Sequence, residues 1–343
     1  MDYAFLDAVT NTSDESDEET SENKKLFFMA SALGHINRLK EYLDDGIDIE
    51  TKDYVFGETI FIRACRHDHV DILEFAHCRD ANVNAASNSG ETALHVATMN
   101  SSYLCLKYLL SIPQVEIDFR DKLGQTPLMV AAFKSSVQCV ELLLSADCDA
   151  NLQDCHGRTA LHRALDPYDN FLGKQNACLC VELLTETDCD INHTDLNGDT
   201  PLHMAIKKYN WKAVKWLISE NCDIDKQMRS DKDLAIFSQT KLPAVPTSPF
   251  LLALNFLNGR FIKYLILCGC SYYEYAHFIT YCDKNAVIYE FLENAFSSPR
   301  SLKENCRKVI RKSLGRPIYD KIHSLHIPEI LRDFLLLKDL NID

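Results

Sequence analysis

The chain has 343 residues, 46% hydrophobic and 25% charged, with a formal net charge of −14. Its length fits about two to three ordinary domains, and its apolar share excludes a wholly disordered protein. The negative balance argues against a general nucleic-acid binder, which needs a cationic field to meet phosphates.

Residues 1–22 read as an acidic disordered tail, in which Asp14–Glu22 carries six acids, no base and no large apolar side chain. Ser13, Ser16 and Thr20 among these carboxylates suit phosphorylation or plain solvation. The opening residues lack the cationic start of a secretory signal. No apolar run of about 18 residues occurs, since the best stretch, 249–273, is interrupted by Asn255, Asn258, Arg260 and Lys263. Fourteen cysteines without such a signal predict free thiols in a reducing compartment. The expectation is a soluble chain with no membrane partner, cytoplasmic, with the nucleus left open.

Internal repetition comes next along the chain. GETIFIRA (57–64), GETALHVA (90–97), GQTPLMVA (124–131), GRTALHRA (157–164) and GDTPLHMA (198–205) align without gaps. Their threonines, Thr59, Thr92, Thr126, Thr159 and Thr200, are spaced 33, 34, 33 and 41. SPFLLA (248–253) is a degenerate copy, and 26–50 keeps the helical pattern without the threonine-headed start. In each fragment glycine permits a tight turn, threonine N-caps a helix, and proline, where present, takes the first helical position. Leu and Ala three residues apart give a thin apolar face for a second helix, such as 137–145, 211–219 or 260–268. These fragments resemble the ankyrin repeat, over roughly two-thirds to three-quarters of the chain. The resemblance implies an all-α solenoid of about six to seven helix–turn–helix repeats, set at residues 23–296. Insertions near 166–175 and 229–247 add eight and fifteen residues.

Fourteen cysteines and twelve histidines invite a zinc hypothesis, which repeat register opposes. Cys148, Cys189, Cys222 and Cys270 share one position with Ala81, and Cys105, Cys139 and Cys180 share another with Ile72, Ala213 and Phe261. A metal ligand does not exchange with Ala, Ile or Phe, so these cysteines act as small hydrophobes. The resemblance gives His95, His162 and His203 a turn-bracing hydrogen bond. His67, His69 and His77, with Cys65 and Cys78, form a residual cluster without standard zinc spacing. Neither a metal nor a cofactor is expected. No GxSxG, HExxH, phosphate-loop or dinucleotide pattern occurs, so the expectation is a chain that binds and does not catalyse.

After Pro299 the pattern changes. Leu302, Cys306 and Ile310 lie four residues apart, a helical stripe, against a face with Lys303, Arg307, Lys308, Arg311 and Lys312. Gly315 and Pro317 end it. Periodicity alone leaves two readings: a cap with its stripe buried on the last repeat, or a stripe offered to a partner's groove. The stripe, followed by Leu325, Ile327, Pro328, Leu331, Phe334 and Leu335, resembles a SOCS box, placed at 299–343. His326 stands where that family has the first proline of its cullin-5 motif.

The resemblance implies that Leu302, Cys306 and Ile310 dock the Elongin B–Elongin C dimer. It further implies that Leu325, Ile327, Pro328, Leu331, Phe334 and Leu335 meet cullin-5 with its RING protein. The chain would then be a non-catalytic substrate receptor of a ubiquitin ligase, the alternative being an ankyrin scaffold or inhibitor. Repeat alignment sets Arg63, Arg66, Met99, Phe133, Lys134, Arg163, Lys207 and Lys208 on the inner rim. There they would form a basic ladder with two apolar rungs, either for an acidic substrate segment or as ordinary solvated cations.

Overall fold

The threonine-headed fragments become short helices because each carries its own start signal. The computed structural model describes residues 15–166, 173–227, 248–256, 258–271, 310–311, 313–314, 318–325, 327 and 329–336. In it, Thr59, Thr126 and Thr200 each accept a hydrogen bond from the backbone N–H three residues on. Ser248 does the same for Leu251 at 3.2 Å in the degenerate copy. Pro127, Pro201 and Pro249 sit in the first helical turn, where a missing N–H costs nothing.

The chain divides into two compact units, Met1–Lys122 and Leu123–Asp343. In the first, α1 (Glu15–Ala32), α3 (Ile60–Arg66) and α5 (Ala93–Asn100) make an inner row. Behind them lie α2 (Ile36–Asp44), α4 (Val70–His77) and α6 (Tyr103–Leu110). In the second unit the inner row is α7 (Pro127–Phe133), α9 (Ala160–Ala164), α11 (Pro201–Lys207) and α13 (Pro249–Asn255). Its outer row is α8 (Val137–Leu144), α10 (Gly173–Glu186), α12 (Trp211–Ser219) and α14 (Gly259–Cys268). Then come α15 (Ile318–Ser324) and α16 (Glu329–Leu335). The described residues thus hold seven repeat-type helix pairs, and their one β feature is an isolated bridge between Ala86 and Thr92. None of their helices is long and apolar enough to cross a membrane.

Small side chains set the spacing between rows. Ala64, Ala97, Ala131, Ala164, Ala205 and Ala253 occupy one register position and are all 0% exposed. Each lets the paired outer helix approach closely. On the outer helices Cys105, Cys139 and Cys180 are as buried as Ile72 and Ala213 at the same position, the behaviour of a small hydrophobe.

The turns before the inner helices are tied to one another. In the first unit the Asn88 N–H donates to the Phe56 carbonyl at 2.8 Å, and that of Lys122 to Ser89 at 3.0 Å. In the second, Cys155 donates to Leu123 at 2.8 Å and Leu196 to His156 at 2.9 Å. Such rungs need backbones in contact, which explains the turn glycine. Gly90 has φ +84°, and a Cβ there would lie 2.8 Å from the Lys122 nitrogen. Gly90→Ala is expected to cost about 2 kcal/mol, from left-handed strain together with the clash. Chemical denaturation of the chain measures it, and a loss below a few tenths of a kcal/mol would contradict the close approach.

Two segments read from composition and spacing overlap helices. The acidic run expected to be disordered overlaps α1, which begins at Glu15. The insertion near 166–175 overlaps α10, which starts at Gly173 and runs 14 residues where α8 runs 8. Residues 167–172 and the insertion at 229–247 lie outside the described residues.

Candidate functional site

The segment after the repeats is fastened to them by one side chain. Arg311 is 5% exposed. Its Nη2 donates to the carbonyls of Ile218 and Ser219 at the end of α12, at 2.7 and 2.8 Å. Its Nη1 donates to the Leu335 carbonyl in α16, and its own carbonyl accepts from Asn221 Nδ2 at 3.0 Å. A guanidinium suits the last carbonyls of a helix because it supplies several donors and a charge opposite to that end of the dipole. The sequence sets Arg311 on the cationic face opposite the apolar stripe; in the structure the residue is an internal clasp, since α12 and α16 present carbonyls to it.

The neighbouring residue faces the other way. Ile310, a member of the apolar stripe, is 39% exposed, and both residues have helical backbone. Here the cation is inside and the hydrophobe outside. Leu302 and Cys306 lie outside the described residues. A small core of Ile322, Leu335 and Leu336 gathers Leu314 and Ile327 against it. Leu325 is partly buried, Leu331 and Phe334 fall within α16, and Pro328 lies outside the described residues. Of the sequence-predicted partner-binding residues, Ile327 and Leu335 are therefore brought together around Ile322.

On the inner rim of the first unit, Arg63 Nη2 lies 2.6 Å from Asp53 Oδ2 and 3.4 Å from Glu58 Oε2. Its guanidinium carbon is 5.1 Å from the Phe28 ring centre, and Arg66 pairs with Glu58. Met99 is partly buried near the end of α5. In the second unit Arg163 is buried with its guanidinium carbon 4.2 Å from the Phe133 ring centre, an intimate cation–π contact. Lys134 is half-buried at the end of α7. Lys207 Nζ meets both oxygens of Asp199, at 2.6 and 2.5 Å, and Lys208 Nζ meets Asp166 at 2.7 Å. Much of the ladder's charge is thus answered by carboxylates of its own unit. The pattern that predicts this is visible in retrospect. Glu58 and Asp199 each precede a capping threonine, and each pairs with a cation eight residues on.

In the histidine and cysteine cluster of the first unit, His69 and His77 have structural partners. His69 Nε2 is 3.0 Å from the Ala32 carbonyl, and His77 Nδ1 is 2.9 Å from Tyr108 Oη. Burial raises the Cys65 thiol pKa, with the Cys105 side chain beside it adding to the effect. No group of three or more potential metal ligands is gathered among the described residues. The N–H groups of Thr92, Thr159 and Thr200 donate to Nδ1 of His95, His162 and His203, each at 3.3 Å. This assigns the ring proton to Nε2, which in His162 donates to the Asp199 carbonyl at 3.0 Å. Sequence reasoning missed a polar ladder formed by Asn84, Asn151 and Asn192. Each side-chain oxygen accepts from the next repeat's backbone, that of Asn151 from Asp190 at 2.7 Å.

Stacked helix pairs with linked turns define an ankyrin-repeat protein. The family model for ankyrin repeats (3 copies) matches residues 26–121, 105–172 and 171–273, and the SOCS box model matches 298–336. The chain belongs to the family that joins ankyrin repeats to a SOCS box. It is also similar to the probable E3 ubiquitin-protein ligase XBOS33 of Oryza sativa subsp. japonica, 34% identical over 90 residues, 26% of this chain and 17% of that protein. A second relative is the E3 ubiquitin-protein ligase XBAT33 of Arabidopsis thaliana, 32% identical over 90 residues, again 26% and 17% of the two chains. The chain thus spans about a sixth of the length of these curated relatives, 17% in each.

Proposed function

We propose that this chain is the substrate-recognition subunit of a ubiquitin ligase, in which the SOCS box docks Elongin B and Elongin C and engages cullin-5 with its RING protein. The ankyrin repeats hold the substrate. The observation that carries the reading is the inversion at the start of the SOCS segment, where Arg311 is buried and Ile310 is exposed. A plain cap would bury the stripe and solvate the cation, so the inversion supports an apolar stripe turned toward a partner. The curated relatives' ligase names support the same pathway.

In this role the chain makes no bond itself. Holding a substrate lysine near a ubiquitin thioester raises its effective concentration, and that proximity is the chain's contribution to rate. Burying Leu302 and Ile310 in the Elongin dimer stabilises the complex by about 1.5–3 kcal/mol for each side chain. Leu325, Ile327, Pro328, Leu331, Phe334 and Leu335 belong to the cullin-facing segment, in which Ile327 and Leu335 act from within by packing on Ile322. Arg63, Arg66, Met99, Phe133, Lys134, Arg163, Lys207 and Lys208 belong to the substrate-facing rim, with Phe133 and Arg163 acting as one stacked pair.

Co-purification from cells with the proteasome blocked tests the proposal. The intact chain is expected to bring down both Elongins and cullin-5, and Cys306→Phe to lose them while its repeats keep their melting transition. If Cys306→Phe unfolds the repeats and the parent chain brings down neither Elongin, the chain is a scaffold whose last helices cap the stack.

A further inference from the structure

Most helix pairs turn through one residue of positive φ. Gly34 takes this place at +76°, Asp68 at +57°, Ser101 at +57° and Ser135 at +54°. Glycine has no Cβ to clash, and short polar side chains find local hydrogen bonds, so these residues suit the left-handed region. Between α11 and α12 the same place is held by Tyr209, at φ +53°. The other non-glycine residues of positive φ among those described are Asp, Ser or Asn. A bulky side chain there is an outlier, and such strain is a pointer to function where it persists.

Burial does not offset that strain, because Tyr209 is 53% exposed. Its ring meets Phe256, with centroids 5.5 Å apart, and Phe256 is itself 39% exposed. Two aromatic rings thus stand side by side in solvent where adjacent repeats turn. The charges around them lean positive. Lys207 and Lys208 precede Tyr209, Lys212 follows it, and the Arg260 guanidinium carbon lies 4.6 Å from the Trp211 ring centre. Asp199, Asp166 and Glu182 face Lys207, Lys208 and Lys212 respectively. Each of the three lysines is thus answered by a carboxylate, and the Arg260 guanidinium, held over Trp211, is the positive charge left over in this group, on a chain whose net charge is −14. Exposed aromatics with cationic neighbours are the residue types that dominate binding energy at protein interfaces.

We infer that Tyr209 and Phe256 form the anchor point for an acidic peptide segment carrying an apolar side chain, presented by the captured protein. This rests on the reading that the repeats hold a substrate, and it names the chemistry of the segment held. The strain at Tyr209 is retained for binding, so its removal separates stability from capture.

The experiment uses the full chain purified with Elongins B and C. A fluorescein-labelled peptide, Asp-Glu-Glu-Trp-Leu-Glu-Asp-Glu, is followed by anisotropy beside a version with every acid replaced by lysine. Tyr209→Asn is expected to weaken the acidic peptide at least tenfold and to raise the melting temperature, because asparagine accepts the left-handed conformation. Phe256→Ser is expected to weaken the peptide as well, and the lysine version to stay unbound. Equal binding by parent and Tyr209→Asn, or equal binding of the two peptides, overturns the inference. So does a lower melting temperature for Tyr209→Asn, or its conversion of a dimer to a monomer in sedimentation, since the rings would then be occupied by this chain itself. Elongin co-purification is scored on the same samples: its loss from the parent chain sinks the ligase reading while the peptide result stands.

Discussion

Arg311→Met is expected to destabilise the second unit by about 4 kcal/mol, from the loss of three charge-assisted bonds to carbonyls, two buried and one partly buried. The clasp joins segments far apart in sequence, since Arg311 reaches Ile218, Ser219 and Leu335. Methionine fills similar volume but offers no donor, so the carbonyl of Leu335 and the end of α12 lose a partner they do not recover from water. Arg311→Lys supplies a charge but not the planar fork, and an intermediate loss of about 2 kcal/mol is expected. Denaturant melts give the size of the effect. Amide hydrogen exchange gives its place: α12 and α16 are expected to lose protection together in Arg311→Met. Protection lost in α16 alone would mean that the clasp does not couple the two elements.

Acidification supplies the second large effect. Burial pushes the His162 pKa down from its ordinary value to about 4, against a raising influence from the Asp199 carbonyl and the Asp195 and Asp154 carboxylates, while His193 adds to the lowering. The ring is 0% exposed. A base with a lowered folded-state pKa binds its proton more readily when unfolded. Its contribution is therefore fully present above about pH 6.5, the unfolded value, and is lost as pH falls toward 4. Over that window the loss reaches about 3 kcal/mol. His162→Gln is expected to be less stable at pH 7 but to lose most of the slope between pH 6.5 and 4. A parent chain whose denaturation midpoint is flat over that range would contradict the assignment of a neutral, buried ring.

What was legible in the sequence was local or repeated. Thr59, Thr126 and Thr200 cap helices through partners three residues away, so their spacing revealed each helix start. Cys105, Cys139 and Cys180 declared themselves as core because sister repeats substitute Ile72 and Ala213, and all are buried. The rim cations fall at or near the ends of inner helices, as repeat spacing suggests, but their ion pairs were not legible. Asp53, Glu58 and Asp199 fold back onto Arg63, Arg66 and Lys207 through the geometry of the turn, which a face-by-face helical projection omits. Arg311 was illegible for a different reason. Its partners are backbone carbonyls, which carry no side-chain signature, and the nearest lies 24 residues away. The strain at Tyr209 was hidden as well, since it emerges only when φ is compared across repeats.

The described cysteines carry one last consequence. The twelve described cysteines carry thiols, and two of them, Cys78 and Cys155, are exposed. Burial pushes the Cys180 thiol up to about 12, with the neighbouring Cys139, Glu141 and Cys178 adding to it. A thiol that stays protonated at neutral pH reacts slowly with peroxide or maleimide. A brief maleimide pulse would therefore tag Cys78 and Cys155 ahead of the buried sulphurs, giving each unit its own native handle for a dye.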